Sequence, residues 1–314
     1  MTTPFAIQPG PLWPGLANCR YCPRQCGADR LHGGLGYCGI GAEWAVASVC
    51  LHQGEEPAVS GPTGICNIFF AHCNLQCRYC QNHQISRNLG PAPGLAPDQV
   101  IEQVEKLLDQ GVQAVGFVSP SHVLPQMEAI MLTLRQRGRR PVFVFNSNAY
   151  DRMEVLRRLE GGLDVYLPDF KYADPSLAAA WSDAGDYPEV ARRALLEMYR
   201  QKGADLALDG QGQVRSGLIV RHLVLPGQVE NTLQCLRFLA EELSPRVHVS
   251  LMSQYAPTPA VQGHPDFGRT LLPEEYERVL EEMDRLGMEN GWIQQLDSAY
   301  HYQPDFEREH PFEV

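Results

Sequence analysis

From residue 65 onward, short apolar runs alternate with segments of helical period. The strand-like runs are ICNIFFA (65–71), AVGFV (114–118), PVFVFN (141–146), LDVYLP (163–168), GLIVRHLVL (217–225) and RVHVSLM (246–252). Most are continuously apolar rather than alternating, which predicts parallel strands covered on both faces. Between them lie LAPDQVIEQVEKLLDQG, with Asp98 near its start and Gly111 just past its end, and SHVLPQMEAIMLTLRQRG, stopped by Gly138. YDRMEVLRRLEGG, the stretch 187–203, QVENTLQCLRFLAEEL and LPEEYERVLEEMDRLG complete the helical series.

Strand and helix thus alternate about six times, which predicts a parallel sheet with right-handed crossovers. An open doubly wound sheet and an incomplete barrel fit equally. In either, active groups gather where strands end and loops begin. Residues 1–64 break the pattern: they are rich in glycine, proline and cysteine and read as an N-terminal extension with little core of its own. Residues 65–300 form the core, and the polar, proline-broken 301–314 form a tail.

Composition narrows the classes. The 314 residues carry a net charge of −11, which disfavours a nucleic-acid partner. No eighteen-residue apolar stretch and no basic-then-apolar leader occur, so the expectation is a cytoplasmic protein without a membrane span. Lys106, Lys171 and Lys202 are the three lysines among 26 basic residues. Lys106 falls mid-helix and Lys202 near a helix end, where a cation suits the dipole; Lys171 does neither. Nine of the ten cysteines fall between Cys19 and Cys80. Such clustering, in a large chain without a leader, suits metal ligands or redox groups better than disulfides. Cys235, on an apolar helix stripe, reads as plain core.

Cys73, Cys77 and Cys80 follow the first strand as C-x3-C-x2-C. A structural zinc site closes itself with four ligands. Three thiolates on a cubane iron–sulfur cluster leave one iron open to a small molecule. Cys66, His72 and His83 are the candidates for a concealed fourth ligand.

This motif resembles the signature of the radical S-adenosylmethionine (SAM) enzymes. FFAHCNLQCRYCQNHQIS is similar to the cluster loop of the pyruvate formate-lyase activating enzyme group, and especially of its poorly characterised relatives. Asp169-Phe-Lys171 resembles the D-x-K motif of activating enzymes, and RHLVLPGQVENT (221–232) their arginine-bearing strand. VSLMSQYAP (249–257) matches the same relatives. The resemblance implies an incomplete (β/α)6 barrel with a [4Fe–4S] cluster on the loop after the first strand. SAM would bind the open iron, and its reductive cleavage would yield a 5′-deoxyadenosyl radical that abstracts hydrogen. It also implies a protein glycine as one substrate, beside another peptide side chain or a small metabolite, and a reductant such as flavodoxin or ferredoxin.

Candidate SAM-binding residues follow. In the family the aromatic before the third cysteine, here Tyr79, lies near the adenine. Asp169 and Lys171 stand past the fourth strand, where catalytic groups gather, with Lys171 set to face a carboxylate. Arg221, a permanent cation inside a strand, needs an anion: a SAM carboxylate or a structural ion pair. Asn146 ends the third strand and suits the SAM ribose or amino acid part. Many radical SAM enzymes carry a Gly-Gly-Glu-like run after strand two. The corresponding FVSPSHVLP (117–125) has none, leaving Ser119, Ser121 or nearby carbonyls to substitute.

Cys19, Cys22, Cys26 and Cys38 form a second set in a glycine-rich stretch. Four thiolates hold zinc or an auxiliary [4Fe–4S] cluster equally well. Cys50 and Cys66 read as buried thiols. Against the enzyme reading stands a non-catalytic iron–sulfur electron-transfer or scaffold protein.

Overall fold

A computed structural model describes residues 10–300, 303–308 and 310–312. Two 3-10 turns, Trp13–Asn18 and Arg30–His32, precede β1 (Val46–His52) and the single turn α1 (Pro57–Ser60). β2 (Ile65–Phe70), α2 (His83–Ser86) and α3 (Pro97–Asp109) follow, then β3 (Ala114–Val118), α4 (Leu124–Gln136), β4 (Val142–Asn146) and α5 (Met153–Arg158). Next come β5 (Val165–Tyr166), α6 (Pro175–Ser182), α7 (Tyr187–Lys202), β6 (Ala207–Leu208) and β7 (Val214–Leu223). α8 (Val229–Phe238) runs on as a π turn over Leu239–Leu243, before β8 (His248–Met252), α9 (Pro273–Arg285) and β9 (Gly291–Ile293).

The sheet order is β1-β2-β3-β4-β5-β7-β8-β9. β2 to β5, β7 and β8 are mutually parallel and coincide with the six apolar runs. β1 is antiparallel to β2 and β9 parallel to β8, so these two form the ends of an incomplete barrel. β1, β9, the short β6 and α6 are not apparent in the apolar pattern. β1 is contributed by the N-terminal extension and joins the sheet of the core.

Alternation along the strands sends side chains to opposite faces. Phe70, Phe117, Phe143, Phe145 and Tyr166 point outward and pack under the helices, with ring centroids of 5.9–6.5 Å between neighbours. Ile65, Ala114, Val142, Val144, Val165 and Ile219 point inward and cluster with Ala58 and Val59 of α1. That turn therefore plugs the end of the barrel where the strands begin. Phe117, fully buried between Phe70 and Phe143, tests this packing. Phe117→Ala is expected to destabilise the fold by about 3–5 kcal/mol. A urea unfolding midpoint equal to wild type would contradict it.

β5 is shorter than its apolar run because Pro168 lacks an N–H to continue the ladder. The Pro168 carbonyl still accepts from Arg221 N (2.8 Å), and Phe170 N donates to the Arg221 carbonyl (2.8 Å). Pairing resumes as one isolated bridge, Asp169 to Arg221. This bridge sets a carboxylate and a guanidinium side by side at the outgoing end of the barrel.

Candidate functional site

β2 delivers the chain into the loop that bears Cys73, Cys77 and Cys80. The loop is held from outside: Gln76 N donates to the Ser182 carbonyl (3.3 Å) and Arg78 N to the Trp181 carbonyl (2.9 Å). Each sulfur accepts a hydrogen bond. Cys73 Sγ receives Leu75 N and Asn148 Nδ2, both at 3.4 Å; Cys77 Sγ receives Ser182 Oγ at 2.9 Å; Cys80 Sγ receives Ser86 Oγ at 3.3 Å. As a thiol, Cys73 also donates to Asn74 Oδ1 (3.6 Å). Burial pushes the Cys73 thiol up to about 12 and raises Cys77 as well, although Lys171 pulls both back. A metal bound here must displace thiol protons. The donors aimed at the sulfurs are suited to the thiolates that would remain.

The three thiols line a cavity of about 610 Å³ whose further walls include Glu55, Glu56, Asp169, Lys171 and Arg221. This is the size of a small-molecule site. Lys171 Nζ donates to Asp169 Oδ2 (2.8 Å). Arg221 Nη1 donates to Glu55 Oε2 (3.0 Å), and its Nε stands 3.4 Å from Asp169 Oδ1 and 3.6 Å from Glu56 Oε1. Burial by itself would raise the Asp169 carboxyl, but Lys171 and Arg221 hold it below the usual range. Burial would likewise lower Lys171; Asp169 and the thiolate form of Cys77 more than offset it. For Glu56 burial wins, and its carboxyl is raised despite Arg221. Asp169 Oδ1, Glu56 Oε2 and Arg221 Nε are buried without a hydrogen-bond partner. A polar ligand in the cavity would satisfy them.

The other candidates sort as follows. Tyr79 lines the cavity but is packed among Tyr172, Tyr255 and Phe267, its hydroxyl 2.5 Å from that of Tyr172. Ser119 and Asn146 line the cavity together; Ser119, in the left-handed region at φ 53°, donates its N–H to the Asn146 carbonyl (2.8 Å). Ser121 is fully buried and not among the cavity walls. Arg221 is engaged by three carboxylates, as in an ion-pair network inside the barrel. Cys235 and Cys66 are fully buried. His72 is occupied by the Cys38 carbonyl (2.8 Å).

Glu55 and Glu56 were not legible as site residues. They stand in Gly54-Glu55-Glu56-Pro57, between β1 and the plug α1. Besides Arg221, Glu55 Oε1 accepts from Asn67 Nδ2 (2.9 Å) and Asn146 Nδ2 (3.5 Å). Adjacent glutamates after an edge strand were the available signal. Asn148 and Ser182, which touch the sulfurs, carried none.

A model of the radical SAM superfamily matches residues 67–240, more than half of the chain. The chain belongs to the radical SAM superfamily. That superfamily uses a [4Fe–4S] cluster with SAM for radical chemistry, and the matched region contains Cys73, Cys77, Cys80, Asp169, Lys171 and Arg221. An uncharacterised protein of Methanocaldococcus jannaschii is 28% identical over 279 residues, 87% of this chain and 76% of its own. Streptococcus suis SuiB, bound to precursor peptide SuiA, shares the fold at TM-score 0.50 and 14% identity over 73% of this chain and 48% of its own. The FeFe-hydrogenase maturase HydG of Carboxydothermus hydrogenoformans does so at 0.50 and 12%, over 73% and 52%. The chain thus spans about half the length of those two structures. Among the described residues no helix is long and apolar enough to cross a membrane.

The superfamily match stops short of the N-terminal cysteines, yet this radical SAM chain gathers them. Cys19, Cys26 and Cys38 all lie within electrostatic reach of Cys22. Cys19, Cys22 and Cys38 are buried and Cys26 is exposed. A Cβ on Gly36 would overlap the Cys26 sulfur, so the close approach of that loop requires glycine.

Proposed function

We propose that Cys73, Cys77 and Cys80 hold a [4Fe–4S] cluster, and that SAM and a substrate share the adjoining cavity. What carries this reading is the set of sulfur partners: Leu75, Asn148, Ser182 and Ser86 donate to the three thiols on one wall of a ligand-sized space. Hydrogen bonds to cluster sulfurs orient the ligands and tune the potential. When bound, the cluster supplies the electron that cleaves the sulfonium and frees a hydrogen-abstracting radical.

The chain's own residues bind and orient. Tyr79, Ser119 and Asn146 offer walls for the adenosine. Lys171 presents a cation to a carboxylate of SAM or of the substrate. Asp169, kept ionised between two cations, and the pair Glu55 and Glu56 accept the donors of a ligand's cationic group, supplying carboxylates that 117–125 lacks. Arg221 positions these three carboxylates. Residues 1–64 complete the 65–300 core in this reading, through β1, α1 and both glutamates.

The likeness around Asp169-Phe-Lys171 favours a protein glycine as substrate. A flavodoxin- or ferredoxin-type reductant is required, and ten cysteines outside any disulfide suit the cytoplasm. The test is anaerobic reconstitution with iron, sulfide, dithionite and SAM. The expected product is 5′-deoxyadenosine; its absence from fully loaded protein leaves a non-catalytic iron–sulfur protein instead.

A further inference from the structure

We infer that the free edge of β1 takes up an extended acidic peptide segment as an added strand, and that this strand leads into the cavity beside Cys73. Its role as the flank of a protein substrate rests on the proposed radical reaction; its binding does not.

The two ends of the barrel are unlike. β9 is three residues long, a length that leaves little edge to pair with. β1 has seven residues, Val46–His52, and pairs with β2 on one side only. Its sequence VASVCLH holds no Lys, Arg, Asp, Glu or Pro, the residues that commonly blunt an exposed edge. The irregularity between Val46 and Ser48 affects only its start, where Leu95 N donates to the Val46 carbonyl (2.8 Å). Beyond that bond, among the described residues, no main chain outside β2 pairs with Ala47 to His52.

This edge borders a groove of about 730 Å³. Neighbouring residues of β1 turn to its opposite walls. Val49 packs into the core that also takes Leu95 and Leu107, on the α3 side; Cys50 packs into the cluster that takes Phe306 and Phe312 of the tail. Both faces of the strand thus border the groove, as an open edge between two walls requires. A strand added there sets alternate side chains against α3 and against the tail. The groove joins the cavity of the three thiols, because His52, Gln53, Gly54 and Phe312 line both. His52 Nδ1, at this junction, is buried without a hydrogen-bond partner.

Charge selects the occupant. The chain carries a net −11, yet none of the described residues lining the groove is Asp or Glu. Lys106 and Arg308 stand there instead. Arg308 is shared with Asp305 (3.1 Å), so Lys106, exposed on α3, is the cation presented to a ligand. An acidic segment gains main-chain hydrogen bonds along β1 and attraction to Lys106.

The test uses the full chain and a short fluorescein-labelled peptide of alternating Glu and Val, read by anisotropy. The peptide is expected to bind saturably, at least about tenfold tighter than its Lys and Val counterpart. N-methylation at alternate residues, which removes N–H donors and keeps the charge, should weaken binding at least about tenfold. Lys106→Glu should weaken it as much, while SAM cleavage without peptide stays at the wild-type rate. A benzophenone on one of the two peptide ends should cross-link to Gln53 or Gly54; cross-links there from neither end refute the path into the cavity. No saturable binding, equal binding of the basic peptide, or unchanged binding in Lys106→Glu overturns the acidic partner. Equal binding of the N-methylated peptide overturns the added strand. A dimer in sedimentation that the peptide cannot dissociate gives the edge to a second copy of the chain instead. Intact peptide binding in fully loaded protein that forms no 5′-deoxyadenosine refutes the radical reading and leaves the groove standing.

Discussion

Cys77→Ala is expected to lose the iron of its site and to form no 5′-deoxyadenosine above background. Cys77 is the thiol with the shortest donor, Ser182 Oγ at 2.9 Å, and it lies within electrostatic reach of Lys171. Two candidate substitutes are committed elsewhere. Cys66 is fully buried within β2, and the Nδ1 of His72 is bound to the Cys38 carbonyl. Alanine removes a soft anionic ligand, and two remaining thiolates cannot retain a cube that needs its protein corners. Iron and sulfide per chain, measured beside SAM cleavage after anaerobic loading, check the result. Turnover at wild-type level in this variant would remove Cys77 from the ligand set.

Arg221→Met should destabilise the protein by about 3–5 kcal/mol at neutral pH, because it leaves Glu55, Glu56 and Asp169 buried without their shared cation. The pH dependence carries a sign. In the wild type the Asp169 carboxyl is held below its ordinary value of 3.8. Its contribution is present above that value and is lost as pH falls through the lower folded value. In the variant Glu56, which burial already raises, loses the cation that lowers it and rises further. Glu56 then binds its proton more tightly folded than unfolded, so its contribution is greatest below about 4.5, the ordinary glutamate value, and declines as pH climbs. The gap in melting temperature between wild type and variant should therefore be wider at pH 8 than at pH 5. A constant gap would show that Arg221 does not govern these carboxylates.

The six core strands were legible because a strand buried on both faces must be apolar throughout, and β2, β3 and β4 are buried at every position. The edge strands β1 and β9 escaped detection because a partly exposed edge carries mixed residues, such as Ser48 and His52. The Cys73-x3-Cys77-x2-Cys80 spacing was legible because all three ligands sit in one loop. The carboxylate wall was not: Glu55 meets Arg221 across 166 positions, which no local pattern encodes.

Local chemistry along the chain is therefore sufficient to specify the strand-helix alternation, the two cysteine sets and the Asp169-Phe-Lys171 element, since each is set by neighbours in sequence. Only the tertiary structure decided that α1 plugs the barrel and that Glu55 and Glu56, just before it, join the cavity wall. It alone decided that a bridge sets Asp169 beside Arg221, and that Cys38 leans on His72. These are contacts between distant segments, and burial of the inward apolar faces, rather than any motif, brings them together.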